Sequence, residues 1–195
     1  MKILLQEILK YNEQFVENKE FVQYESTKYP NKRMLIVSCM DARLLELLPK
    51  ALDLHNGDAK IIKTAGGTIS HPFGSIMRSI VTAVYELNAE EIYVIGHHGC
   101  GMSESNPKGT LQKIVDRGVT SPEILSVLEY AGIDLRKWLF GFDNIVDSIK
   151  GSVELVRNHP LIPKDIPVHG LVIASDTGKL DVIVDGYENL SSNVN

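Results

Sequence analysis

Short strand-forming apolar runs alternate with helix-patterned stretches along this chain, and that alternation limits the fold more than any other feature. Met34-Leu35-Ile36-Val37 opens a first strand over 33–38, followed by strands over 60–64, 91–96, 168–175 and 180–184. Between them the apolar period changes to helical. Phe73, Ile76, Met77, Ile80, Val81, Val84 and Leu87 fall on one face of a long helix that Ser70 and Pro72 open. A helix from Leu44 to about Leu52 is expected to break or restart at Pro49, and another covers 145–156. Strands that alternate with helices predict an α/β fold, a mainly parallel sheet flanked by helices. Right-handed crossovers put the strand C-terminal ends on one edge, where open α/β sheets bind ligands. Only a turn at Gly178 separates the last two strands, so the fifth pairs with the fourth as a hairpin.

The 195 residues are enough for one domain over 1–195. Leu4, Leu5, Ile8, Tyr11 and Phe15 recur at helical spacing in a helix over 2–17, and a polar connection over 18–32 completes an N-terminal helical arm, 1–32. An apolar stripe on so loose a tether can be buried on a neighbouring subunit. Pro107, Gly109, Gly118, Pro122, Gly132 and Gly141 divide 103–142 into short helices, a variable helical insertion. The tail after Tyr187 is polar and expected to fray.

A net charge of −5 without a Lys/Arg block argues against nucleic acid and anionic membrane as partners. No stretch approaches the roughly 18 apolar residues of a membrane span. Lys2, Glu7, Lys10 and Glu13 interrupt the N-terminal apolar pattern, so no signal peptide is expected and the compartment is taken as cytoplasmic. Thiols stay reduced there. The two cysteines, Cys39 and Cys100, are then either inert core residues or metal ligands.

Cys39 ends the first strand, and His97-His98-Gly99-Cys100 follows the third. If those strands are neighbours, two thiols and an imidazole meet at one edge. Zinc takes S and N ligands, and three protein ligands leave a tetrahedral ion one open position, as in catalytic sites. Asp41 and Arg43 follow Cys39 at alternate positions. Asp41 can fill the fourth position and close the site. Alternatively, Arg43 can hold it by a bidentate pair, leaving it to accept a hydrogen bond from a water there. Arg43 also neutralises a carboxylate that would otherwise oppose formation of hydroxide.

Cys39-x-Asp41-x-Arg43 followed by His97-x-x-Cys100, each after an apolar strand, resembles the β-class carbonic anhydrases. The resemblance implies one zinc ion per chain on Cys39, His97 and Cys100, with an Asp41–Arg43 dyad gating the fourth position. It implies strand order 2-1-3-4 with an antiparallel fifth edge strand. It also implies a homodimer, or a tetramer built from it, in which the N-terminal helix embraces the partner. The implied reaction is attack of zinc-bound hydroxide on carbon dioxide to give bicarbonate and a proton. Carbonyl sulfide and carbon disulfide hydrolases share the fold and ligands, so the motif admits them too. A zinc-stabilised dimer without catalysis is the non-enzymatic alternative.

Four positions depart from the family pattern: His55 stands where plant-type members carry a substrate-holding Gln, Lys63-Thr64 replaces Arg-Asn, and Ile36 replaces the Trp of a bicarbonate pocket. His55 is therefore a candidate pocket residue or proton shuttle. Gly66 and Gly67 could offer N–H groups to a small anion. His98 is expected to point away from the metal, and His71, His159 and His169 to lie in loops or at the surface.

Overall fold

The computed structural model describes residues 3–118, 120–132, 134–188 and 190. Most of the tail expected to fray lies outside them, as does Lys2, the expected start of the first helix. Strands β1 (Met34–Cys39), β2 (Ala59–Thr64), β3 (Glu91–His97), β4 (Val168–Ile173) and β5 (Leu180–Val184) form one sheet in the order β2-β1-β3-β4-β5. The first four run parallel, and β5 is antiparallel to β4. The architecture is the expected one.

Side chains alternate across β1, and both faces are buried, which is why its sequence is apolar from Met34 to Val37. Leu35 and Val37 meet Met77 and Ile80 of α3 (Ser75–Glu86) and Ile149 and Val153 of α7 (Ile145–Arg157). Ile36 faces the opposite layer, with Leu44 and Leu48 of α2 (Leu44–Ala51), Ile95 and Ile173. Ile36, Leu44, Leu48, Ile95 and Ile173 are all fully buried; each such side chain contributes about 1.5–3 kcal/mol relative to exposure. Two packed layers thus fix β1 beside β3 and set the ends of both strands side by side.

Three local expectations are corrected. Helix α2 runs through Pro49 without a break. Buried Leu44 and Leu48 hold it down, and the proline removes one bond from a helix only eight residues long. Helix α3 begins at Ser75, not near Pro72, and Phe73 is 72% exposed. A turn precedes it, in which the Gly74 N–H donates to the His71 carbonyl (3.2 Å) and the Phe73 N–H to His71 Nδ1 (3.1 Å). His159 and His169 are buried. His169 Nδ1 accepts from the Gly186 N–H (3.1 Å), and its ring stacks on Tyr93. His159 Nδ1 accepts from the Leu161 N–H (3.2 Å). In each imidazole Nδ1 thus has a backbone donor, while Nε2 is buried without a hydrogen-bond partner among the described residues.

The connection over 18–32 contains a 3-10 turn at Glu20–Tyr24. Helix α1 (Ile3–Glu17) stacks Phe15 on Tyr24 but leaves Leu4, Leu5, Ile8 and Tyr11 more than half exposed. Within 103–142 the short helices are α4 (Pro107–Asp116), α5 (Pro122–Tyr130) and α6 (Leu135–Leu139). Asn106, Ser121 and Asp134 cap them, and proline starts the first two.

Candidate metal centre

The parallel pairing of β1 with β3 brings the two motifs together. Cys39 ends β1, His97 ends β3, and Cys100 lies one turn beyond. All three are buried, and their ligand atoms lie within 4.8 Å of one another. The Sγ atoms of Cys39 and Cys100 are 3.8 Å apart. Two sulfurs at a Zn–S distance of about 2.3 Å and a tetrahedral angle stand about 3.8 Å apart, so the spacing fits.

His97 is set up to ligate through one nitrogen. Its Nδ1 lies 3.0 Å from the His98 carbonyl, to which it donates, whereas Nε2 is buried with no hydrogen-bond partner among the described residues. A carbonyl on one ring nitrogen fixes the tautomer that bares the lone pair of the other. That carbonyl is held in turn: the His98 N–H donates to the Ile173 carbonyl (3.1 Å), and Ser175 Oγ donates to the His98 carbonyl (3.3 Å). Burial pushes the Cys100 thiol above its ordinary pKa, with the nearby Cys39 adding in the same direction. A cation at this point would reverse that balance by favouring thiolate.

Asp41 stands at the open side of the cluster. Its Oδ2 is 3.8 Å from His97 Nε2. Arg43 holds it with three bonds: Nε to Oδ1 (2.9 Å), the backbone N–H to Oδ1 (2.9 Å), and the terminal guanidinium nitrogen to Oδ2 (2.8 Å). These bonds keep the Asp41 carboxyl well below the usual carboxylate range. The same terminal nitrogen donates to the Gly99 carbonyl at 2.9 Å. One guanidinium therefore ties the loop after β1 to the loop after β3.

Gly66 and Gly67 follow β2 and are buried. Gly67, at φ +69°, lies so close behind β1 and β3 that a Cβ would meet Cys39 N and Ile95 O at 3.1 Å. Lys63, half-buried with its pKa lowered by burial, donates to the Leu44 carbonyl at the start of α2 (3.4 Å). His55 is not brought to the cluster. It precedes β2 at the opposite end of the sheet, beside Asp58 at 3.7 Å. His98 is exposed, as expected. Ser175 and the Gly99 carbonyl were not evident from the sequence. Their signal would have been the pairing of β3 with β4 and the reach of a bidentate arginine.

The carbonic anhydrase family model matches residues 34–180, which include every member of this cluster. The chain belongs to the β-class carbonic anhydrase family. Its relatives include YtiB of Bacillus subtilis (strain 168), provisionally named a carbonic anhydrase, which is 54% identical over 186 residues, 95% of this chain and 99% of that protein. The crystal structure of β-carbonic anhydrase isoform I from Trichomonas vaginalis superposes with a TM-score of 0.85 at 36% identity, covering 94% of this chain and 98% of that one. A carbon disulfide hydrolase of Acidithiobacillus thiooxidans is 30% identical over 158 residues, 77% of this chain and 76% of that protein. The β-carbonic anhydrase family thus includes relatives named for different substrates. No helix among the described residues is long and apolar enough to cross a membrane.

Proposed function

We propose that this protein is a zinc lyase that reversibly hydrates carbon dioxide to bicarbonate and a proton, with one Zn2+ per chain held by Cys39, His97 and Cys100. The observation that carries this reading is a buried two-thiol, one-imidazole cluster with an unpartnered Nε2, beside a carboxylate that an arginine holds in place. When bound, zinc lowers the pKa of a water toward about 7 and so supplies a nucleophile at neutral pH.

The chain's own residues do the rest. His97 and the two cysteines fix the geometry, and the thiolates balance the ion's charge. Asp41, held by Arg43, accepts a hydrogen bond from the attacking water and orients it toward the carbon of a linear substrate. Arg43 neutralises Asp41, so that the carboxylate does not oppose a negatively charged nucleophile. Released by Arg43, Asp41 would stand near enough to His97 to serve as a further ligand to a bound ion. Gly66 and Gly67 let the loop after β2 pack close enough to line the substrate position. His55 can join a site only from a second copy of the chain.

The chain acts as one domain in the cytoplasm, with 1–32 as an arm and 103–142 as an insertion. It works as a homodimer, or a tetramer built from it, in which the exposed stripe of α1 covers the partner; a burial partner for that stripe is what the exposed Leu4, Leu5 and Ile8 call for. The relatives named as carbon disulfide hydrolases support a second reading, hydrolysis of carbon disulfide or carbonyl sulfide at the same cluster. One zinc-loaded preparation tests both: carbon dioxide hydration is followed by stopped flow, and sulfide release from carbonyl sulfide and carbon disulfide is measured in parallel. Hydration is expected. Sulfide release without hydration would replace the first reading by the second, and bound zinc with neither activity would leave only a zinc-stabilised dimer.

A further inference from the structure

A shallow, open cleft of about 490 Å³ lies between the start of α4 and α6, outside the metal centre. Its lining includes Lys108, Arg136 and Lys137 and no carboxylate. Lys108 comes from α4 and Arg136 and Lys137 from α6, three cations gathered at one cleft in a chain with net charge −5. None of their side chains makes an ion pair or hydrogen bond among the described residues. Glu129 and Asp134 share a neighbouring cavity with Arg136 and Lys137 yet pair with neither, and the Asp134 carboxylate is committed to capping α6 through the Lys137 N–H (2.9 Å).

The remaining lining defines what else a ligand would carry. Pro107 and Phe140 give an apolar wall. Ser105 Oγ already accepts from the Gly141 N–H at 2.9 Å, so its hydroxyl proton is left to donate. Uncommitted cations, one of them a planar guanidinium able to bind two oxygens at once, match a multiply charged oxyanion. The apolar wall matches an organic body attached to it.

The cleft also has a position that gives it a consequence. Ser105 and Asn106 line a second, adjoining cleft of about 590 Å³, together with Ala65, Gly101 and Trp138. Ala65 and Gly101 are the direct chain neighbours of Gly66 and Cys100. We propose that the Lys108–Arg136–Lys137 cleft binds a small organic polyanion, a phosphate ester or polycarboxylate, which braces α4 against α6 beside the metal centre. The binding itself holds whether or not the reaction proposed above is the right one.

Phenyl phosphate and phthalate serve as probes, since each puts two negative charges on an aromatic ring. Each is titrated by calorimetry into the zinc-loaded full chain, with ionic strength held constant by sodium chloride. Saturable binding at one site per chain is expected for at least one probe; phenyl phosphate alone assigns a phosphate ester, phthalate alone a carboxylate. The Arg136→Gln/Lys137→Gln variant, altered only at exposed side chains, is expected to bind at least about tenfold more weakly. Lys50→Gln/Lys164→Gln, outside the lining, should bind as the parent does. Trp138 is the only tryptophan, so its emission should change with the same saturation. No saturable binding of either probe, or equal affinity in the Arg136→Gln/Lys137→Gln variant, overturns the site. Binding without a change in Trp138 emission overturns the bracing of α4 and α6.

Discussion

At the scale of single residues, Arg43 has the most consequence per atom, because it holds both oxygens of Asp41 and the Gly99 carbonyl at once. Arg43→Ala frees a carboxylate beside the metal cluster while leaving all three candidate ligands in place. Its hydration rate is expected to fall about 10–100-fold with zinc still near one per chain, the usual loss for a partner that orients a metal site. Full activity in that variant would contradict the dyad. Asp41 also makes a prediction about pH. Its folded-state pKa is depressed below the unfolded value near 3.9, so its contribution to stability is complete above about pH 4 and is lost only as pH falls further, through the folded pKa. The gap in melting temperature between the parent and Asp41→Asn should therefore be flat from about pH 5 to 9 and shrink in stronger acid. A gap that changes across neutrality would show that Asp41 titrates there. Cys39, Asp41, Arg43, His97 and Cys100 were legible in the sequence because both cysteines and a short His-x-x-Cys spacing follow apolar strands. Ser175 was not, because its role depends on which strand lies next to β3. The burial of His169 was not, because a ring stacked on Tyr93 and met edge-on by Tyr187 leaves no periodic trace.

At the scale of elements, the Cys39–His97–Cys100 cluster depends on how closely the loop after β2 can approach two strand ends. Gly67 holds a left-handed φ and has backbone on the side where a Cβ would sit. Gly67→Ala is expected to cost about 1–3 kcal/mol, measured by denaturant unfolding, and to weaken zinc binding by displacing Cys39. A neutral effect on both would mean that the loop can move without disturbing β1. The strands were read closely because both-face burial makes β1 and β4 predominantly apolar, with Ser38 and His169 the polar exceptions. The helix ends were read less well. Pro49 suggested a break, but the packing of Leu44 and Leu48 keeps a short helix intact despite one missing bond. Pro72 suggested a helix start, but the His71 side chain satisfies the Phe73 N–H in a turn instead and delays the helix to Ser75. In both places a tertiary or side-chain interaction outweighed a local preference.

At the scale of the whole molecule, α1 is the element that a single chain does not explain. Its stripe of Leu4, Leu5, Ile8 and Tyr11 faces solvent, and an apolar surface of that kind marks an interaction site. In a homodimer the same stripe is buried twice, once by each copy. Leu5→Asp/Ile8→Asp is expected to halve the mass found by light scattering at micromolar concentration, and an unchanged dimer would place the interface elsewhere. The alternation of strands and helices made the sheet order accessible through a family resemblance, yet no pattern within one chain says what covers α1. Cys39, His97 and Cys100 are expected to carry a zinc ion that hydrates carbon dioxide. Stripping the metal, titrating zinc back and following carbon dioxide hydration by stopped flow at each addition tests this. Activity should rise in proportion to bound zinc and break at one ion per chain. Hydration that is absent at full zinc occupancy, or unchanged in the stripped protein, would contradict it.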